Sequence, residues 1–289
     1  MNAAAERSHL TPAQGYTKPS RPVRALMRLG LLQGRRMYWW WGDKINFGDW
    51  VGPLIYEWRT GRRPIFCNSR GSSAGHYYVT AGSVLSFGHQ AGRGIVWGSG
   101  VISGDAEIAR PKVIHAVRGP LTRGRCLDLG YDCPPVYGDP GILVPQVLGL
   151  VPSQPRYKLG IIPHFREAAA LSAHWATNPD VCVIDVLTDV ETVARQIADC
   201  AVVVSSSLHG LIVSHAMNIP AGWVRFQPGD HLDRWKFHDY YASGGVTDDI
   251  APVMLGADAQ MADLITVATN APRPQLEPLM QPLLDCCPF

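Results

Sequence analysis

The chain has 289 residues, 46% of them hydrophobic and 17% charged, with a net charge of +2. That content fills two packed α/β domains or one large one, and the near-neutral balance excludes wholesale nucleic-acid binding. Seven cysteines, an odd number with no C-x-x-C pair, speak against a disulfide framework or a zinc site. Cys126, Cys182 and Cys200 lie in apolar stretches and read as core thiols. Cys286 and Cys287 read as two tail thiols, with a vicinal disulfide as the alternative. There is no signal-peptide pattern and no apolar run of bilayer-spanning length, so a cytoplasmic protein is expected.

Residues 1–20 are polar and irregular and are expected to be disordered. Basic residues crowd the first 36 positions, seven against Glu6 alone. Over 21–33, Arg21, Arg24 and Arg28 take one side of a helix, and Val23, Leu26, Met27, Leu31 and Leu32 the other. Two readings are open: a helix lying on an anionic membrane surface, or one packed on the body or fraying, since Gly30 and Gly34 weaken it. From Met37 the pattern becomes globular. Strands are predicted over 37–41, 77–81, 94–97 and 113–117. Helices are predicted over 50–60 and 120–129, with Tyr137-Gly138-Asp139-Pro140-Gly141 as a tight turn.

Pro152-Ser153-Gln154-Pro155 reads as a linker. Strands then alternate with helices: strands at 158–162, 181–185, 201–204 and 221–225, helices at 167–175, 188–198 and 208–217. Such alternation implies parallel sheets with right-handed crossovers. The expected organisation is a basic extension over 1–36 and two Rossmann-like α/β domains, 37–151 and 156–289, facing a cleft. The last helices, near 259–270 and 276–285, are expected to cross back onto the first domain. No internal repeat is visible.

Chemistry-bearing residues cluster where strands end, which in an open α/β sheet is the ligand crevice. The most informative cluster is Ser205-Ser206-Ser207-Leu208-His209-Gly210, between a buried strand and a helix. Its free backbone N–H groups suit an anion, and His209 stands beside them. Asn46 and Asp49 precede a helix, Arg118 joins a strand to a helix, and His164 ends a strand. Arg234, Lys236 and Tyr240 belong to a run of aromatics and charges, Asp233 to Tyr241, which suits either a sugar ring or an amphipathic surface helix. Plainer roles stand beside these: Asp49 and Ser207 as helix caps, Asp139 as a turn residue, His209 as a packing residue, and His215 as purely structural. Scattered histidines without ligand spacing give no metal site.

In order, Asn46-Phe47-Gly48-Asp49, Val117-Arg118-Gly119-Pro120-Leu121-Thr122, Tyr137-Gly138-Asp139-Pro140-Gly141, Pro163-His164-Phe165, Ser205-Ser206-Ser207-Leu208-His209-Gly210 and Ile219-Pro220-Ala221 resemble the polysaccharide pyruvyl transferases. The resemblance runs from about Tyr38 to Tyr241. It leans to the branch that decorates xanthan-type exopolysaccharide, through Asp233-Arg234, Lys236 and Asp239-Tyr240-Tyr241. Many members carry an arginine where this chain has Ser207, and an acidic residue where it has Gly119. The resemblance implies a GT-B-like fold. It implies phosphoenolpyruvate as donor substrate, no cofactor, and a cyclic pyruvate ketal formed on two hydroxyls of one sugar. The implied acceptor is a lipid-linked oligosaccharide at the inner face of the cytoplasmic membrane, with residues 21–33 as a peripheral contact.

On that footing His209 is the expected acid or base, Asp49 its partner base and Lys236 a second cation. Arg118 is expected to clamp the carboxylate or phosphate of the donor. Asn46, His164, Ser205, Ser206, Ser207, Arg234 and Tyr240 are expected to bind substrate. A glycosyltransferase using a nucleotide sugar and a non-catalytic carbohydrate-binding protein are the competing readings.

Overall fold

The computed structural model describes residues 16–42, 44–70, 75–151, 154–227, 234–256 and 258–289. Part of the expected disordered stretch, residues 1–15, lies outside them, as do Pro152 and Ser153 of the expected linker and Asp233 of the aromatic run. The described end of the extension is ordered, contrary to expectation. Tyr16 is buried, stacks on Trp50 at 5.7 Å and donates to a Glu57 carboxylate oxygen at 2.8 Å.

Two parallel five-stranded sheets form the body. The first holds β1 (Arg36–Tyr38), β2 (Ile65–Phe66), β3 (Tyr77–Val79), β4 (Gly94–Trp97) and β5 (Val113–Ala116), in the order β2-β1-β3-β4-β5. The second holds β6 (Tyr157–Ile162), β7 (Val181–Val183), β8 (Cys200–Ser205), β9 (Ala221–Arg225) and β10 (Val253–Met254), in the order β10-β9-β8-β6-β7. Counted within each sheet, both orders are 2-1-3-4-5, the doubly wound arrangement whose ligand crevice opens where the winding reverses. Those switch points lie between β1 and β3 and between β6 and β8. Every strand pair is parallel, and strands buried on both faces explain the unbroken apolar runs of the second half. The architecture is α/β and compatible with two Rossmann-like units.

Helix α1 (Arg21–Arg28) lays Val23 and Met27 on the outer face of the first sheet. The helix is therefore docked, not frayed. Arg21, Arg24, Arg28 and Leu26 stay exposed beside it, as do Leu29 and Leu31 just beyond its end. Helix α2 (Phe47–Thr60) starts three residues before its expected start, because Asn46 and Asp49 close a capping box. The Asn46 side chain accepts from the Gly48 N–H at 2.9 Å, and Asp49 accepts from the Asn46 N–H at 2.9 Å. Helix α3 (Pro120–Asp128) follows β5, and α4 (Val144–Leu148) follows a 3-10 turn over Pro140–Leu143. In the second half α5 (Ala168–Trp175), α6 (Val190–Ala198) and α7 (Leu208–Ala216) alternate with strands, and α8 (Arg234–Ser243), α9 (Met261–Asn270) and α10 (Glu277–Asp285) complete the chain.

One hydrophobic core runs between the sheets. Phe47, Trp50 and Ile55 of α2 share it with Val193 and Ile197 of α6 and with Leu211 and Ile212 of α7. Of the two last helices only α10 and the residues after it cross back; α9 packs instead on the second sheet, with Leu264 and Ala268 in its core. The Trp97 indole donates to the Leu283 carbonyl at 2.8 Å, and Phe289 packs on Tyr56, Tyr78 and Trp97. The seven cysteines are free thiols; Cys126 and Cys200 are buried and Cys182 half-buried. Among the described residues no helix is long and apolar enough to cross a membrane.

Candidate active site

The two switch points face each other, and their loops meet around the His209 ring. β8 ends in three serines that make a sharp exit into α7. The Ser205 hydroxyl donates to the Ser207 carbonyl at 2.8 Å and accepts from the Ser207 N–H at 3.0 Å. The Ser206 hydroxyl donates to Glu167 at 2.6 Å and accepts from the His164 N–H at 2.7 Å. Glu167, buried, also accepts from the Phe226 N–H at 3.3 Å, so one carboxylate ties the ends of β6, β8 and β9 together. Ser207 is the N-cap of α7, but its side chain makes no capping bond. The first turn of α7 is thus left for another acceptor.

His209, on that first turn, projects across to the first sheet with 12% of its side chain exposed. Its ring lies against Gly48, leaving no room for a Cβ there, whereas a Cβ at Gly82 or Gly141 would meet the ring only at ordinary contact distance. Phe47 meets it edge-on, with centroids 6.1 Å apart. Nε2 sits 3.6 Å from Oδ1 of Asp139, a fully buried carboxylate. Asp139 caps the 3-10 turn by accepting from the Gly141 N–H at 2.9 Å, and also accepts from the Gly82 N–H at 3.2 Å. Burial alone raises its pKa. The nearby His209, the bond from Gly141 and Arg118 outweigh that and hold the carboxyl below its ordinary range. Asp139 is therefore more than the turn residue that its setting suggests.

Asp49 lies on the first turn of α2, next to Gly48, against which the His209 ring packs. Burial raises its pKa to about 7, against the Asn46 N–H bond and the attraction of His209 and Lys236, which lower it. That places Lys236, on α8, within electrostatic reach of Asp49. A carboxyl that titrates near neutrality, a histidine and an ionised carboxylate thus gather from α2, α7 and the 3-10 turn, with the Lys236 ammonium of α8 within electrostatic reach. Such a set can move protons and hold an anion.

Other expected site residues fall elsewhere. Arg118 has no exposed surface, so it cannot clamp a ligand as expected. Its Nε donates to Asp239 at 3.0 Å, one terminal nitrogen donates to Ser83, and the other donates to the Val101 carbonyl at 2.7 Å. Asp239, equally buried, accepts as well from the N–H and hydroxyl of Thr122, at 2.9 and 2.6 Å. The carboxylate of α8 thereby caps α3 from outside. Its neighbourhood leaves Gly119 no room for a side chain, because a Cβ there would meet the Asp239 backbone. Tyr240, expected to touch substrate, is buried instead, hydrogen-bonded at 3.0 Å to Nδ1 of His215. Burial holds His215 down at about 4, a structural histidine as expected. Ser205 is buried and occupied by backbone. Arg234 donates to the Ile250 carbonyl at 3.3 Å. The His164 ring sits tilted against that of Phe165, with centroids 4.2 Å apart, and the His164 backbone N–H donates to Ser206.

Asp139, Glu167 and Asp239 are the participants that sequence reasoning missed. For Asp139 a usable signal was present, an acid directly after a glycine at the end of a buried strand pairing, Val117 with Tyr137.

Residues 65–227 match the family model for polysaccharide pyruvyl transferase. The chain is 30% identical over 214 residues to the uncharacterized protein L143 of Acanthamoeba polyphaga mimivirus, covering 71% of this chain and 73% of that one. It is 27% identical over 228 residues to the succinoglycan biosynthesis protein ExoV of Rhizobium meliloti (strain 1021), covering 73% of this chain and 65% of that one. The chain thus spans just under two thirds of the length of ExoV. A solved structure of a functionally uncharacterized protein from Klebsiella pneumoniae subsp. pneumoniae NTUH-K2044 superposes with a TM-score of 0.44 at 12% identity, covering 82% of this chain and 99% of that one.

Proposed function

Because the chain belongs to the polysaccharide pyruvyl transferase family, we propose that it transfers pyruvate from phosphoenolpyruvate to two hydroxyls of one sugar of an exopolysaccharide precursor, closing a cyclic ketal. The observation that carries this reading is the approach of Asp139 to the His209 ring, with Asp49 and Lys236 within electrostatic reach. The donor is a dianionic to trianionic small molecule. Its phosphate takes the open N-terminal turn of α7, and Lys236 faces its carboxylate. His209, its positive charge compensated by Asp139, gives a proton to the methylene carbon, so that C2 gains cationic character. Asp49 takes the proton of the attacking sugar hydroxyl. Phosphate leaves, taking up the proton that Asp49 holds, and the second hydroxyl closes the ring on C2 as its proton returns to His209, which restores both groups. One phosphoenolpyruvate and one diol become one ketal and one phosphate, with no other reactant. Arg118 acts from behind the site by fixing α8, and so Lys236, to the first sheet.

In this reading the two sheets belong to GT-B-like domains, 37–151 and 156–289. The acceptor is a lipid-linked oligosaccharide at the inner membrane face, approached through the exposed arginines and leucines at and just beyond α1. The name of ExoV, a succinoglycan biosynthesis protein, supports an exopolysaccharide setting. The test is to incubate the protein with phosphoenolpyruvate and lipid-linked oligosaccharide, and to analyse the acceptor by mass spectrometry. A gain of one pyruvate less one water supports the reading. Consumption of a nucleotide sugar instead rejects it.

A further inference from the structure

A second concavity, of about 540 Å³, opens at the carboxyl ends of β1 and β2 and against the loop after β3. That lies within the roughly 300–1,000 Å³ typical of small-molecule sites. Its walls are unusual for a surface cleft. After β1 the chain runs Trp39-Trp40-Trp41-Gly42. Trp39 is buried as an anchor, whereas Trp40 is 41% exposed. The Trp40 ring is held in place from two sides. It folds over Gly42, where a Cβ would fall 2.6 Å from the ring, and it meets Phe87 edge-on at 5.3 Å. An indole fixed in this way with a face to solvent is a stacking platform, and its entropy of ordering has already been met.

The polar lining is cationic. Lys18 holds its ammonium group 5.5 Å from the Trp41 ring centroid. Arg70 lies along Gly88, whose φ of +66° opens the backbone to it. Among the described residues no Asp or Glu lines the cleft, while Asn68 and Ser86 offer neutral hydrogen bonds. The cleft opens at the same carboxyl edge of the first sheet as the crevice around His209: Trp40 and Trp41 follow β1, and Gly82, beside the His209 ring, follows β3. Tyr38, in its wall, is within electrostatic reach of both Arg70 and Asp49.

Aromatic faces, neutral hydrogen-bonding groups and cations together match a sugar that carries a negative charge. A nucleotide fits less well, because β1 is followed by tryptophans and not by a glycine-rich phosphate loop. We propose that this cleft is the acceptor subsite, and that it seats an anionic saccharide with a ring on Trp40 and its charged group at Lys18 and Arg70. As an acceptor subsite it rests on the pyruvyl-transfer reading of the neighbouring crevice.

The test is calorimetry on the full chain, without phosphoenolpyruvate, using a glucuronate-containing tetrasaccharide, its carboxyl-reduced counterpart and uridine diphosphate. The acidic tetrasaccharide is expected to bind, and the reduced one to bind about tenfold more weakly or worse, the scale of one lost charge-assisted contact. Trp40→Ala and Arg70→Gln should each weaken the acidic ligand by about tenfold, and Trp40→Phe should recover most of the loss. Circular dichroism of each variant shows that it is folded. No binding of the acidic sugar, equal binding of the two tetrasaccharides, tighter binding of uridine diphosphate, or unaffected variants would each overturn the assignment. Phosphate release from phosphoenolpyruvate, followed in parallel, separates the two claims. Release together with any of those results removes the subsite and keeps the transfer reading. Selective binding without release removes the acceptor role and leaves an anionic-glycan site.

Discussion

Asp239→Asn probes the joint between α8 and the first sheet. One carboxylate oxygen accepts from the Thr122 N–H, and the other accepts from Arg118 Nε and the Thr122 hydroxyl, all within 3.0 Å. Asparagine keeps the shape but must turn an NH₂ toward a donor in either orientation, and it removes the charge facing a buried guanidinium. Breaking one side of such a pair costs about 3–5 kcal/mol. For a chain of this size that lowers Tm by roughly 6–20 °C, at about 2–4 °C per kcal/mol. The assay is thermal and urea unfolding of the wild type, Asp239→Asn, Arg118→Met and the double variant. The double variant should be more stable than the sum of the two single losses implies, because it leaves no lone buried charge. A loss below about 1 kcal/mol for Asp239→Asn, or strict additivity, would refute the reasoning.

His209→Ala should lower turnover by about 10²–10⁴-fold, the usual share of a general acid, with the circular dichroism unchanged; near-normal turnover removes His209 from the chemistry. Gly48→Ala should help an exposed helix by about 1 kcal/mol, yet here the new methyl displaces the His209 ring. Its kcat is expected to fall by at least about tenfold, and an unchanged kcat would mean that the ring position does not matter. Asp49 has its folded pKa raised from 3.8 to about 7, so the folded protein holds this proton more tightly than the unfolded chain. That contribution is full below the unfolded value and is lost as pH rises through about 7. The stability of the wild type relative to Asp49→Asn should therefore fall between about pH 4 and 7 and level off above; a flat difference would show that Asp49 is not perturbed.

Most of the second sheet could be read from sequence: β6, β8 and β9 are largely buried and each is followed by a helix or a clear break, so they were placed within a residue, whereas the edge strand β10, two exposed residues long, left no signal. In the first sheet β4 and β5 were placed within a residue, whereas β1 and β3 end two or three residues sooner than expected and β2, two residues long, gave periodicity too little to act on. The shared strand order left no trace in the residues, because topology constrains where strands lie and not which apolar residue fills them. The positions of His209 and Asp49 on the first turns of their helices were legible from the polar residues that precede each helix. Arg118 was misplaced because what fills its fork is 121 residues away. Asp139 was passed over because it does cap its own turn, while the bond that draws it to the site comes from Gly82, 57 residues earlier.

The central claim is that the crevice around His209, Asp139 and Asp49 transfers pyruvate from phosphoenolpyruvate. The most direct measurement is phosphorus NMR of phosphoenolpyruvate with the protein, with and without the saccharide acceptor, repeated for His209→Ala and Asp139→Asn. Inorganic phosphate should appear only with acceptor, in step with the ketal, and both variants should nearly abolish it. Release without acceptor, or at wild-type rate in both variants, would contradict the account.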